Sequence, residues 1–388
     1  MFHIADENEI KQGKVTDVYF LRTREILKTK KISKKVVVEF MVKSFPEGWG
    51  WGVFSGLEEM MEILRGINVN VWAVPEGSFF GIGEPVLVME GNYEDFGIFE
   101  TALLGLCCQA SGIATKSARC KIASCGKSVF SFGARRVHPA IAPMVERNAY
   151  LGGCDGVACV KGAEILNIEA VGTIPHALVL IMGDTVKAAE AFNEVIDKKV
   201  NRIVLIDTFQ DEKFEAVNAA RALGDNLFAV RLDTPYSRRG DFKKILEEVR
   251  WELNLRGFEN VKIVVSGGLD EYKITELNQY ADAFGVGTAI SNAPVLDFAM
   301  DIVEIDKVPI AKRGKLSGRK NLFRCPECFS RKTVPFKEQE VICTCGVKME
   351  NILKPLIKDG GVLFDLPHIS KTREYVFEQM KYFNPNIS

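Results

Sequence analysis

The sequence has almost no charge imbalance, few histidines and no long apolar run. Lys and Arg total 50 against 51 Asp and Glu, a formal net charge of −1. No global field exists to hold nucleic acid or an anionic membrane, although a local basic pocket is compatible with this balance. The strongest apolar run, ALVLIM at 177–182, is far too short to span a bilayer. The opening MFHIADENEI has no basic stretch followed by an apolar one, so it does not read as a signal peptide. Only 4 histidines are available for imidazole chemistry. No internal repeat or low-complexity segment is evident. The expectation is a soluble cytoplasmic protein with neither a membrane nor a nucleic-acid partner.

What is present is an ordinary globular composition, 47% hydrophobic and 26% charged, over 388 residues. That length accommodates two or three domains, one of them a full α/β barrel. Ten cysteines in a chain without a secretion signal point to reduced thiols and a metal site rather than to disulfides.

The middle of the chain alternates short apolar runs with amphipathic segments. VFSFGA (129–134) reads as a strand, HPAIAPMVERNAYLGG (138–153) as a helix ending at glycines, GVACVKG (156–162) as a strand, and AVGT (170–173) as the end of another. TVKAAEAFNEVIDKK is a helix capped by Asp184 or Thr185. NRIVLID, NLFAVRLD, VKIVVSGG and ADAFGVGT then read as strands, with DEKFEAVNAARALG, DFKKILEEVRWELNLRG and DEYKITELNQY as the helices between them. Strands repeating with intervening helices imply a parallel sheet. About seven or more such units within ~170 residues favour a (β/α) barrel over an open sheet. Residues 1–115 differ: KKVVVEFMVKSF, VNVWAVPEG and EPVLVMEG are β-rich and broken by Gly and Pro, as in a mixed or antiparallel sheet. Residues 98–124 read as a long helix joining this layer to the barrel. The predicted domains are therefore an N-terminal α/β layer (1–115), a barrel (116–292) and a C-terminal segment (293–388) packing back on the N-terminal domain.

Polar residues fall where a parallel barrel collects its catalytic groups, at the C-terminal ends of strands. They are Arg135 and Arg136 after SFGA, His176 after AVGTIP, Asp207 closing IVLID, and Arg231 and Asp233 in AVRLD. Ser266-Gly267-Gly268 and Gly285-Val286-Gly287-Thr288 are glycine-rich turns after consecutive late strands, each followed by a helix. Backbone N–H groups in such turns can approach a phosphate. One turn alone is more often a tight loop; two in tandem at this place favour phosphate. Asp207 and Asp233 end adjacent predicted strands, ~4.8 Å apart in a sheet. They either bind Mg²⁺ or ribose hydroxyls, which relieves their repulsion, or serve as helix N-caps. Arg135 and Arg136, with Lys116 and Arg119 upstream, form a cationic cluster suited to phosphate, pyrophosphate or carboxylate through the planar guanidinium fork; a solvated basic edge is the alternative. His138 is equally an anion donor or a surface residue.

SGIATKSAR (111–119), FGARRVHPA (132–140), YLGGCDGVACVKGAEILNIEAVGTIPH (150–176), LIDTF (205–209), VRLDT (230–234) and SGGLDEYKI (266–274) occur in an order that resembles nicotinate phosphoribosyltransferase. That enzyme stands with quinolinate phosphoribosyltransferase among the type II phosphoribosyltransferases. The resemblance covers roughly residues 12–295. It implies an N-terminal open-faced α/β sandwich, an incomplete (β/α) barrel, and a dimer or larger homo-oligomer whose active sites are completed by a neighbouring subunit. It implies nicotinate and phosphoribosyl pyrophosphate (PRPP) as substrates, Mg²⁺ with PRPP, and ATP as a possible coupled substrate. Thr16, Asp17 and Tyr19 match the family's TD-x-Y segment, whose ring stacks on the pyridine. Arg135 would hold the nicotinate carboxylate or the phosphoribosyl part, Asp207 and Asp233 the ribose hydroxyls and Mg²⁺–PRPP, and the glycine turns the 5′-phosphate. His176, in GT-x-x-H, falls where the family carries a histidine phosphorylated by ATP. The residue after it is Ala177 rather than the usual small polar one, a departure that bears on ATP coupling.

Cys325-Pro-Glu-Cys328 and Cys343-Thr-Cys345 give two close thiolate pairs that match a structural, four-coordinate Zn²⁺ site. The basic run RGKLSGRKNLFR (313–324) precedes this small ribbon-like module. Quinolinate phosphoribosyltransferase is the enzymatic alternative, although a substrate with two carboxylates should demand a richer Arg/Lys cluster. A non-catalytic barrel binding partners through its zinc ribbon is the alternative of another class.

Overall fold

A computed structural model describes residues 2–383; residue 1 and residues 384–388 of the predicted end domains lie outside them. The chain forms two compact units. Among the described residues, one comprises 2–115 with 294–383, and the other 116–293.

The first unit is built on a seven-stranded antiparallel sheet. Its strands run in the order Val308–Pro309, Phe298–Ile305, Lys35–Val42, Leu87–Asn92, Val69–Ala73, Lys354–Lys358 and Gly361–Val362. C-terminal strands thus sit on both sides of the N-terminal ones. All but the first residue of Lys35–Val42 is buried; its Val, Phe and Met residues flank Glu39, whose charge is met by Lys320 at 2.8 Å. A smaller sheet, Arg331–Pro335, Lys320–Arg324 and Glu350–Asn351, carries the cysteines at its turns.

The long helix forms as Glu100–Ala123 and crosses the boundary between the units. Helix continuing back to Tyr93 makes this stretch long and apolar enough to cross a membrane, yet most of its apolar window is buried. Ser111, Thr115, Ser117 and Arg119 are buried along it as well. It is a core helix.

The second unit is an α/β half-barrel. Six parallel strands lie in the order Gly156–Val157, Ser128–Ser131, Ala283–Val286, Lys262–Ser266, Leu227–Leu232 and Arg202–Leu205. Their helices start where predicted: Asp184, Asp211, Asp241 and Asp270 each accept a backbone N–H in the first turn that follows. This satisfies donors that would otherwise be unpaired.

One strand expectation fails and another is shortened, so six strands pair rather than seven. GVACVKG contributes only Gly156–Val157, because the chain turns into the helix Val160–Leu166. AVGT forms no strand. Val171 N–H donates to the Val157 carbonyl at 2.9 Å, and there the pairing ends. The next residues, Gly172-Thr173-Ile174-Pro175, include a glycine with little β preference and a proline with no N–H to donate. The half-barrel is therefore open beside His176.

Candidate active site

Five of the six strands of the half-barrel, all but Arg202–Leu205, end at one cavity of about 520 Å³, a size typical of small-molecule sites. Phe132, Ala134, Arg135 and Arg136 come from the turn after Ser128–Ser131, and Ala158 follows Gly156–Val157. Arg231 and Asp233 come from the end of Leu227–Leu232, Ser266, Gly267 and Gly268 from the next strand, and Gly285, Gly287 and Thr288 from the one beyond. Thr173 and His176 complete the wall in place of the missing strand.

Asp207 stands behind this wall with its side chain only 1% exposed. His176 lies against it, Nε2 to Oδ1 at 3.3 Å, and neither carboxylate oxygen has a well-aligned hydrogen-bond donor. Burial pushes the Asp207 carboxyl up from the usual range; His176 pulls it back and Asp233 adds to the rise. The loop after it is fixed by Glu215, which accepts the Phe209 and Gln210 N–H groups at 2.7 and 2.9 Å. Asp233 accepts the Ser266 hydroxyl at 3.0 Å and lies 3.7 Å from an Arg231 Nη. Burial lowers the Arg231 guanidinium below its ordinary range, while Asp233 and Asp207 oppose that shift. The Arg231 Nε has no acceptor. Neither Asp207 nor Asp233 caps a helix, since Asp211 and Asp241 hold those positions. Buried charge left this incomplete is costly unless a ligand finishes it.

The glycine turns are built for close approach. Gly267 and Gly268 have φ of +83° and +62°, a region that favours glycine. A Cβ on Gly267 would lie 2.6 Å from an Asp233 carboxylate oxygen.

The remaining sequence candidates lie elsewhere. Lys116 and Arg119 do not line the cavity. Both pair with the buried Glu271, Arg119 Nε to Oε1 at 2.9 Å. Their charge is neutralised within the protein rather than presented to an anion. His138 is exposed beyond the cavity rim, its Nδ1 accepting the Ala140 N–H at 3.2 Å. Thr16, Asp17 and Tyr19 belong to the other unit. There Asp17 accepts the Thr101 and Tyr19 hydroxyls at 2.9 and 3.3 Å, and Tyr19 is 56% exposed.

Sequence reasoning missed Arg239, Glu146, Phe132 and Thr173. Arg239 sits in the SRRG stretch after a strand end, a signal of the same kind as Arg135-Arg136. Glu146 gave none: it is buried on the helix Ala142–Leu151, beside the Ser131 hydroxyl and the Ala158 and Cys159 amides. Burial raises it to about 7. A larger hollow of about 740 Å³ lies at the opposite ends of the strands, around Lys127, Trp251 and Asp282. Its cations are already engaged: Lys127 donates to the Ala281 carbonyl, Arg250 to that of Val261, and Lys213 pairs with Glu248.

The Sγ atoms of Cys325, Cys328, Cys343 and Cys345 lie within 4.8 Å of one another. The pairs Cys325–Cys345 and Cys328–Cys343 are 3.5 and 3.4 Å apart. Four sulfurs about 2.3 Å from a tetrahedral Zn²⁺ would be ~3.8 Å apart, so the quartet fits that ion.

The family model "Quinolinate phosphoribosyl transferase, C-terminal domain" matches residues 113–301, and the corresponding N-terminal domain matches residues 17–111. A nicotinate phosphoribosyltransferase of Mycobacterium tuberculosis is 28% identical over 96% of this chain and 88% of that protein. Among solved structures, nicotinate-nucleotide pyrophosphorylase from Pyrococcus furiosus superposes with a TM-score of 0.97 and 58% identity, covering 98% of each chain. Human nicotinic acid phosphoribosyltransferase shares the fold, with a TM-score of 0.75 and 19% identity over 96% of this chain and 95% of that one.

Proposed function

We propose a reaction for this chain from one premise: it belongs to the quinolinate and nicotinate phosphoribosyltransferase family and is a phosphoribosyltransferase. The acceptor is nicotinate and the donor is PRPP, giving nicotinate mononucleotide and pyrophosphate in NAD salvage. The observation that supports this reading is the meeting of Arg135, Arg136, Arg231, Asp233 and two glycine turns at one cavity, with Asp207 buried behind His176.

The pyridine nitrogen attacks C1′ of the ribose with its own lone pair, and the C1′ bond to pyrophosphate breaks. No general base is required. Negative charge grows on the departing pyrophosphate, and Arg135 and Arg136, exposed at the rim, are placed to meet it. Positive charge grows on the sugar, and Asp207 and Asp233 are the carboxylates assigned to stabilise it. Desolvation makes such fixed charges count for more than they would in water. Mg²⁺ bound to PRPP would neutralise pyrophosphate charge, and the unfinished oxygens of Asp207 fit either that ion or ribose hydroxyls. The 5′-phosphate is assigned to the Ser266–Gly268 and Gly285–Thr288 turns. In the same reading a second copy of the chain supplies Thr16, Asp17 and Tyr19 to the pyridine, and four cysteines hold a structural Zn²⁺.

ATP coupling, where it operates, is assigned to His176. With one ring nitrogen facing Asp207, the other keeps its lone pair for a phosphoryl group. Labelled ATP transferring phosphate to the wild type but not to His176→Ala is the result expected of coupling; an unlabelled wild type would remove it.

Purified protein with PRPP and nicotinate, nicotinamide or quinolinate, followed by pyrophosphate release, tests the whole reading. Release with nicotinate alone is expected. Release with quinolinate, accompanied by CO₂, would make the chain a quinolinate enzyme.

A further inference from the structure

Arg239 is a half-buried cation beside the cavity, and its Nε and Nη2 donate to backbone carbonyls. It ends the short helix Tyr236–Arg239, in the loop after the strand that carries Arg231 and Asp233. Its Nε donates to the Thr234 carbonyl at 2.6 Å. Its Nη2 donates to the Ser266 and Gly267 carbonyls at 3.1 and 2.5 Å. The guanidinium lies 4.6 Å from the centre of the Phe242 ring, a second anchor on its flat face. Arg239 is not among the residues lining the cavity.

We infer that Arg239 is a positioning residue, one that sets the peptide planes of the Ser266–Gly268 turn so that its amides face the ligand; this rests on reading that turn as the phosphate site. A Gly-Gly turn has many backbone conformations open to it, and its N–H directions are not fixed by its own residues. Each peptide is planar and trans, so its carbonyl and its N–H point opposite ways. Drawing the Ser266 and Gly267 carbonyls to one guanidinium therefore turns the Gly267 and Gly268 N–H groups away from it. Successive N–H groups directed alike form an anion-binding concavity. The space admits nothing else: a Cβ at Gly267 would meet Asp233 at 2.6 Å and Arg239 Nη2 at 2.9 Å. Arg239 also ties the loop of one strand to the turn of its neighbour, so the phosphate amides and Asp233 keep a fixed spacing. Lysine cannot reproduce this role, because one ammonium lacks the planar fork that reaches three carbonyls on two segments.

Calorimetric titration of ribose 5-phosphate into the full-length protein tests this without relying on turnover. The wild type should bind, and Arg239→Gln should bind at least about tenfold more weakly, the loss expected when charge-assisted hydrogen bonds are removed. Arg239→Lys, the variant that keeps the charge should Arg239→Gln fail to fold, should also weaken binding, and the exposed neighbour's Arg238→Gln should not. Methylguanidinium added to Arg239→Ala should restore affinity, which a merely destabilised protein would not show. In steady state the KM for PRPP should rise while kcat changes little. Folded Arg239 variants that bind ribose 5-phosphate like the wild type would overturn the inference. A wild type without affinity for ribose 5-phosphate would instead overturn the phosphate reading beneath it.

Discussion

Two groups of opposite charges are built into the half-barrel, and they differ in whether their members complete one another. In the first, Glu271 is fully buried between Arg119 and Lys116. Its carboxyl is held below the usual range by these two cations, against the effect of burial. In the second, Asp207 lies 3.3 Å from His176 and Asp233 lies 3.7 Å from Arg231, and both Asp207 oxygens and the Arg231 Nε have no hydrogen-bond partner. The first group ties the helix Glu100–Ala123 to the helix Glu271–Leu277 through paired charges. The second leaves buried polar atoms without partners, which costs stability. From residue types alone the two look alike, so the sequence groups Lys116 and Arg119 with the cavity arginines.

Four changes break or sharpen this contrast. The largest effect belongs to Glu271→Ala, which leaves Arg119 buried without its counter-ion and should cost about 3–5 kcal/mol in denaturant unfolding. An unchanged midpoint would mean that the first group is not structural. Asp233→Ala should do the reverse, keeping the melting temperature while turnover falls about 100-fold or more, roughly 3 kcal/mol of transition-state stabilisation. Unchanged turnover would remove Asp233 from the site. Cys325→Ser, or chelation, should lower the melting temperature by roughly 5 °C with little change in intrinsic chemistry. Metal analysis of the purified protein should find one Zn²⁺ per chain; an unaltered melting temperature would contradict a structural ion.

Glu146 gives the smallest effect and a defined pH window. Its carboxyl is raised from 4.5 to about 7 by burial, so between those values the folded state holds a proton that the unfolded state has released. Stability therefore falls as pH rises through this window and levels off above it. Glu146→Gln should flatten the slope, by roughly 1–3 kcal/mol across the window. A variant with the wild-type slope would show that Glu146 is not its source.

Much of the half-barrel was legible because its signals are local. Strand runs end in Asp caps, and Asp184, Asp211, Asp241 and Asp270 start helices as such residues do. The cavity followed from position, since a parallel strand places its last residues at one rim. What was not legible depends on partners distant in sequence. Glu271 is more than 150 residues from Lys116 and Arg119, and no spacing rule reveals that it neutralises them. The strand expected at AVGT failed for a reason visible only in three dimensions: one hydrogen bond to Val157 aligns the segment, and Gly172 and Pro175 then let it leave the sheet. Arg239 was overlooked because its role is directed at carbonyls, which a sequence does not display.

The central claim is that the open charge group and the two glycine turns form one sugar-phosphate site. A crystal structure with nicotinate mononucleotide bound tests it directly. The account predicts the 5′-phosphate at the amides of Gly267, Gly268, Gly287 and Thr288, with ribose hydroxyls at Asp207 and Asp233. A nucleotide bound at another surface, with this cavity left to solvent, would contradict it.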